Sequence, residues 1–165
     1  MDTAALHDAY RTLLDAAATV ADSAEPSSAP AGEWNADQIL AHVSIVNAST
    51  IAAVAAVAAG VHTTYDNRIA ADAWTIEHII TLAAGNAGLR ERVRVQGEAL
   101  CALGGTLSEA ELDTLVSSRL LSGGTVLVDQ PVPLRDLIAG LADVELPGHA
   151  AQLLALLPQD AMAAS

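Results

Sequence analysis

The stretch Trp34-Asn35-Ala36-Asp37-Gln38-Ile39-Leu40-Ala41-His42 opens a long apolar segment that must either cross a membrane or pack inside a helical domain. Its start is well marked. Asn35 is an N-cap residue, and Gln38 stands three positions on, as in a capping box. Trp34 and Ile39 occupy the two positions of a hydrophobic staple. The spacing predicts a helix to about Ala59, closed by Gly60. Ile39, Val43, Val46, Thr50, Val54 and Val57 form its apolar stripe. From Gln38 to Tyr65 there is no Asp, Glu, Lys or Arg, a run long enough to span a bilayer. Yet His42, Ser44, Asn47, Ser49 and Thr50 interrupt it, much of the rest is alanine, and no Lys or Arg flanks it. Those features read as a buried helix and not a membrane span. His42 lies beside the stripe, between Ile39 and Val46, and is expected to face the interior or its rim.

Upstream, Leu6, Tyr10, Leu13, Leu14, Ala17 and Val20 recur at helical spacing and predict a helix over 3–22. Ser23 to Gly32 reads as a loop, marked by Pro26, Ser27, Ser28 and Pro30. Downstream, Val61 to about Asn67 reads as a connection. A third helix is expected to about Leu103, with Trp74, His78, Leu82, Gly85, Leu89, Val93, Gln96 and Leu100 as its stripe and Gly104-Gly105 as its end. Ser108 can cap a short helix through about Leu115. Residues 116–133 read equally as a hairpin around Ser122-Gly123-Gly124 or as an irregular loop. A last helix is expected from Leu134 to about Leu157, with Leu137, Leu141, Val144, Ala151 and Leu154 on its buried side and Pro158 ending it. Pro147-Gly148 sits inside it, where a proline is expected to kink or split a helix. The fold predicted is all-α: a four-helix bundle in one domain over 1–158, with a short hairpin or loop before the last helix and a frayed tail at 159–165.

Composition narrows the function. The chain has 165 residues, 52% hydrophobic but only 2% aromatic, with no Phe. A chain this long buries about two-thirds of its unfolded surface. The net charge of −13 repels phosphate backbones, so nucleic acid is not an expected partner. One cysteine, Cys101, permits no internal disulfide and fits a reducing, cytoplasmic interior. Met1-Asp2-Thr3 has neither a basic region nor an apolar run after it, so no signal peptide is predicted.

Chemistry concentrates at Glu145 and His149, four residues apart in the last helix. That spacing stacks two side chains on one helix face. A carboxylate and an imidazole there suit one divalent metal. Two ligands make a weak site, and His42 is the best third. The plainer readings are a hydrogen-bonded core histidine at position 42 and an ordinary helix pair at 145 and 149.

The order of features is distinctive: Trp34 opening helix two, His42 eight residues on, then Glu145, His149 and Gln152 in the last helix. In this the chain resembles the DinB-like bundle superfamily. The Glu-x-x-x-His form looks more like its mycothiol-dependent maleylpyruvate isomerase branch. Tyr65-Asp66-Asn67-Arg68 is a weaker likeness to that branch. The resemblance implies zinc, with His42, Glu145 and His149 as ligands, and mycothiol as a thiol cofactor. Nickel or iron suits a His₂Glu set as well. The alanine-rich composition fits the GC-rich actinobacteria that make mycothiol.

Two readings stay open. One is a metal- and thiol-dependent transferase or isomerase acting on a small electrophile. The other is a metal-binding or protein-interaction bundle without turnover. A two-fold dimer through outer helix faces is the expected assembly. His78 is expected to face the bundle as core or as a neighbour of the ligands, and Cys101 to be a small apolar residue. His7 and His62 are expected at the surface. Arg68 is a candidate for meeting a substrate carboxylate.

Overall fold

A computed structural model describes residues 1–23 and 32–158. Most of the loop expected at 23–32 and the whole tail at 159–165 lie outside the described residues. The chain is predominantly helical, with one small three-stranded sheet.

Helix α1 spans Ala4–Ala21 and α2 spans Ala36–Ala58. The start of α2 follows its sequence: the Asn35 side chain accepts from the Gln38 backbone N–H, and the Gln38 side chain accepts from the Asn35 N–H. Every residue of its expected stripe is buried. The segment from Ile39 to Asn47 is buried on all sides, including Ser44 and Asn47. Among the described residues, α2 is the one helix long and apolar enough to cross a membrane, and 67% of its most apolar window is buried. Several of its polar groups find partners inside. Tyr10 donates to Asn47 Oδ1 at 2.7 Å, and the Thr50 and Tyr65 hydroxyls lie 3.3 Å apart.

The expected third helix is two helices. After a 3-10 turn over Arg68–Ala71, α3 runs Ala73–Ala83 and α4 runs Asn86–Thr106. Ala84 and Gly85 both take positive φ, 57° and 103°, which no continuous α-helix permits. The break uncouples the faces on its two sides. Leu89, Val93 and Leu100 are buried on α4 as expected, with Gly97 buried and Gln96 half-buried, but on α3 only Ile76 is buried. Trp74 and Leu82 are exposed, and His78 faces solvent, its ring stacked on Trp74 at 5.0 Å. His78 is therefore neither core nor a neighbour of the candidate ligands. Helix α4 also runs past Gly104-Gly105 to Thr106. The short helix α5, Glu109–Leu112, opens with a capping box between Ser108 and Glu111.

Residues 115–133 form the hairpin. β2 is Leu115–Ser122 and β3 is Thr125–Pro133, antiparallel, with an irregularity between Leu120 and Leu121. Gly123 and Gly124 supply the two positive φ angles of a two-residue turn. The segment read as a plain connection holds a third strand, β1, Thr64–Asp66, parallel to β2. Asn67 extends that pairing with its side chain: Nδ2 donates to Leu121 O, and Oδ1 accepts from Leu121 N. The sheet adds a β component to the all-α fold expected.

The last helical tract starts at Leu134 as expected. Helix α6 is Leu134–Gly140, a wide π turn follows over Leu141–Glu145, and α7 is Leu146–Leu154. In a regular helix the ring of Pro147 would collide with the carbonyl four residues back, and the residue has no N–H to donate. The wide turn directly upstream relieves that conflict, and the tract stays helical instead of splitting. The turn also moves the buried stripe by one position. Leu137 and Ile138 are buried before it, Leu141 and Ala142 within it, and Leu146, Ala150 and Leu153 after it. Val144, Ala151 and Leu154, expected inside, are exposed. Helix α1 packs on α4, α7 and the π turn, and α2 packs on α4, so the core lies among these helices.

Candidate metal centre

Three elements deliver the centre. The second turn of α2 supplies His42, buried and directed away from solvent by the fully buried Ile39 and Leu40 around it. The last residue of the π turn supplies Glu145, and the first turn of α7 supplies His149. Glu145 and His149 stay within reach across Pro147-Gly148. The sequence separation between His42 and Glu145 is 103 residues, and the fold closes it to 3.0 Å.

The contacts converge on one oxygen. Glu145 Oε1 lies 3.0 Å from His42 Nε2 and 3.3 Å from His149 Nε2. The two imidazole rings meet edge to face at 4.7 Å, and Trp34 lies over His42 at 4.8 Å. The far nitrogens are held too. His42 Nδ1–H donates to the Ala70 carbonyl at 2.8 Å. His149 Nδ1–H donates to the Gln152 side-chain oxygen at 2.9 Å. Such outer contacts fix a ligating histidine's tautomer and orientation. With both Nδ1 atoms protonated, each neutral imidazole turns the Nε2 lone pair toward the carboxylate.

Three acceptors facing one another repel unless a cation sits among them. A metal ion or an added proton meets that need. The donor set fits a metal: one atom from each residue lies within 4.8 Å of the others. In a tetrahedral site with bonds near 2.0–2.1 Å, ligand atoms stand about 3.3 Å apart. The two contacts, 3.0 and 3.3 Å, lie close to that spacing. His42, Glu145 and His149 therefore form a group that could hold a metal ion.

Electrostatics agree. Hydrogen bonds from His149 and His42, then their charges, outweigh burial and hold the Glu145 carboxyl well below the usual carboxylate range. Burial works against a charged His149, but the Glu145 hydrogen bond and charge, with Gln152, outweigh it and raise its pKa. Tyr65, nearby, is pushed up by burial and by the Glu145 charge, against the Thr50 hydrogen bond.

The centre opens into a cavity of about 560 Å³ walled by Trp34, Asn67, Gln152 and the hairpin turn at Gly123 and Gly124. The other sequence candidates stand elsewhere. His7 and His62 are at the surface, as expected. Cys101 is half-buried beside the core, and burial raises its thiol pKa. Arg68 is exposed and held by Asp66 through Nε and Nη2, so it does not reach the cavity. Sequence reasoning missed the Ala70 carbonyl, which no side chain signals. It also missed Asn67 and the hairpin tip as walls. An Asn-Arg step after β1 and the Gly-Gly turn were their only traces.

No family model, no curated protein and no solved structure matches this chain significantly.

Proposed function

We propose that this chain is a DinB-like four-helix bundle, built from α1, α2, α4 and the α6–α7 tract, that binds a divalent metal through His42, Glu145 and His149. On this reading it is a thiol-dependent transferase or isomerase of the reducing cytoplasm. A small thiol, mycothiol in the branch it resembles, adds through sulfur to an electrophilic carbon of a small substrate, giving transfer or cis–trans isomerisation. The observation that carries the reading is the convergence of two imidazole Nε2 atoms, at 3.0 and 3.3 Å, on one carboxylate oxygen. Zinc suits the set, as do nickel and iron. A divalent ion held there supplies a lowered pKa to a thiol or water that shares it.

The protein's own residues do the rest. Ala70 and Gln152 keep both Nε2 atoms pointed inward. Glu145 stays ionised throughout the physiological range. Trp34 covers one face of His42 and limits water there. Three protein donors leave room for an exogenous fourth, which separates a catalytic site from a closed structural one.

The deciding experiment measures metal content by inductively coupled plasma mass spectrometry on untagged protein. About one metal per chain is expected in the parent, with little in His42→Ala or His149→Ala. A parent that stays metal-free after incubation with Zn²⁺ and Ni²⁺ overturns the reading. With metal established, conjugation of a thiol to an electrophile tests turnover; its absence leaves a metal-binding bundle without activity.

A further inference from the structure

A second cavity adjoins the centre. It measures about 370 Å³, within the range of small-molecule sites. It lies between the hairpin and the α6–π-turn tract, walled by Leu127, Val128, Val132, Leu137 and Leu141, with Val46 deeper in. The two cavities share Asn67, Leu121, Ser122, Val144 and Glu145. A molecule with one end at Glu145 therefore has an apolar recess open beside it. Val144 and Leu127 stand at its rim, 70% and 66% exposed. Exposed apolar side chains around a concave apolar wall mark ligand grooves.

Charge sharpens the picture. Among the described residues neither cavity has a Lys or Arg in its wall, and the acidic residues that line them are Glu33, Asp136 and Glu145. The chain's seven cationic residues are all arginine. Arg11, Arg68, Arg94 and Arg135 pair with carboxylates elsewhere, and Arg92 donates to Ser44. Arg119 lines a different groove, beside Asp66 and Asp129, and Arg90 lines neither cavity. A carboxylate carried into the recess, away from the centre, would lose water, meet Asp136 and find no Arg to pair with.

We infer that the recess binds the hydrocarbon body of an uncharged small molecule and excludes carboxylate-bearing ones. Resting on the proposed metal-dependent reading, this makes the electrophilic substrate a neutral, apolar compound whose reactive carbon lies at the Glu145 end. The recess itself is a property of the protein wall and can be tested before any metal is added.

The probes are benzyl alcohol and benzoate, alike in size and differing in charge. The full chain, metal-free at about pH 8, is titrated with each while amide ¹H–¹⁵N resonances are followed. Benzyl alcohol is expected to shift Leu127, Leu137 and Val144 saturably, with benzoate at least tenfold weaker. The Leu127→Arg variant changes an exposed residue, and its fold is checked by its thermal melt. It is expected to weaken benzyl alcohol and bring benzoate to equal or tighter binding. Benzoate matching benzyl alcohol in the parent, no shift at these amides, or an unchanged preference in Leu127→Arg would each overturn the inference. Metal content on the same preparations keeps the two claims apart. Benzyl alcohol bound at these amides, in protein that takes up no metal, supports the recess and sinks the metal reading.

Discussion

At the scale of single residues, the centre depends on where protons sit. Glu145 has its pKa lowered in the fold, so its contribution to stability is present above the unfolded carboxylate value and lost as pH falls through the folded one. His149 has its pKa raised, so its contribution is present below the unfolded imidazole value and lost as pH rises through the folded one. Both act together between the ordinary carboxylate and imidazole ranges, about pH 4.3 to 6.5. In protein stripped with chelator, the melting-temperature gap between the parent and Glu145→Gln is therefore expected to be widest near pH 5–6 and to narrow on either side. A gap that stays flat from pH 4 to 8 would remove the ionic pairing. Gln152 acts through His149 alone. Gln152→Ala is expected to weaken metal binding by about 10–100-fold without changing the fold, measured by competition with a chromophoric chelator. Of these residues, Glu145 and His149 were legible because local spacing relates them, whereas Gln152 entered only through the family resemblance. The Ala70 carbonyl was not legible, because backbone groups carry no sequence identity.

At the scale of elements, the instructive misreadings share one cause. A periodic stripe predicts a buried face only while the helix keeps its phase. Ala84 and Gly85 reset the phase between α3 and α4, which left Trp74, His78 and Leu82 outside. The π turn reset it again before α7, which put Val144 at the cavity rim and Leu146 in the core. π turns of this kind recur at functional sites. Here the turn ends on Glu145, the residue that both histidines touch. Strand β1 was hidden for a different reason: three residues are too few to show alternation, and a parallel partner fifty residues on gives no local sign. Close packing between elements also has a sharp test. A Cβ added at Gly97 on α4 would stand 2.9 Å from the Tyr10 ring of α1, and that ring is tethered by its hydroxyl to Asn47. Gly97→Ala is expected to cost about 1–3 kcal/mol in urea denaturation, as overpacked cores do. No loss of stability would mean that α1 and α4 can move apart freely.

At the scale of the whole molecule, the centre ties the second helix to the last. A metal that binds only the folded chain stabilises it by mass action, about 2.7 kcal/mol at a hundredfold excess over Kd. For a domain of this size each kcal/mol shifts the melting temperature by about 2–4 °C, so Zn²⁺ is expected to raise it by roughly 5–10 °C. His149→Ala is expected to abolish that rise while melting cooperatively on its own. By itself the sequence left the Gly-Gly stretch open between a hairpin and a loop, and it determined the helix starts at Asn35 and Ser108, the buried stripe of α2 and the four-residue spacing of Glu145 and His149. Each rests on interactions between residues a few positions apart, whose geometry the backbone dictates. Tertiary structure alone decided that His42 would reach Glu145, that His78 would turn outward, that β1 would pair with β2, and that a largely apolar recess would open beside the three residues of the centre. Those outcomes depend on how helices of fixed phase pack against one another across a hundred residues, and burial of apolar surface, which is non-directional, leaves no local mark of which partners will meet.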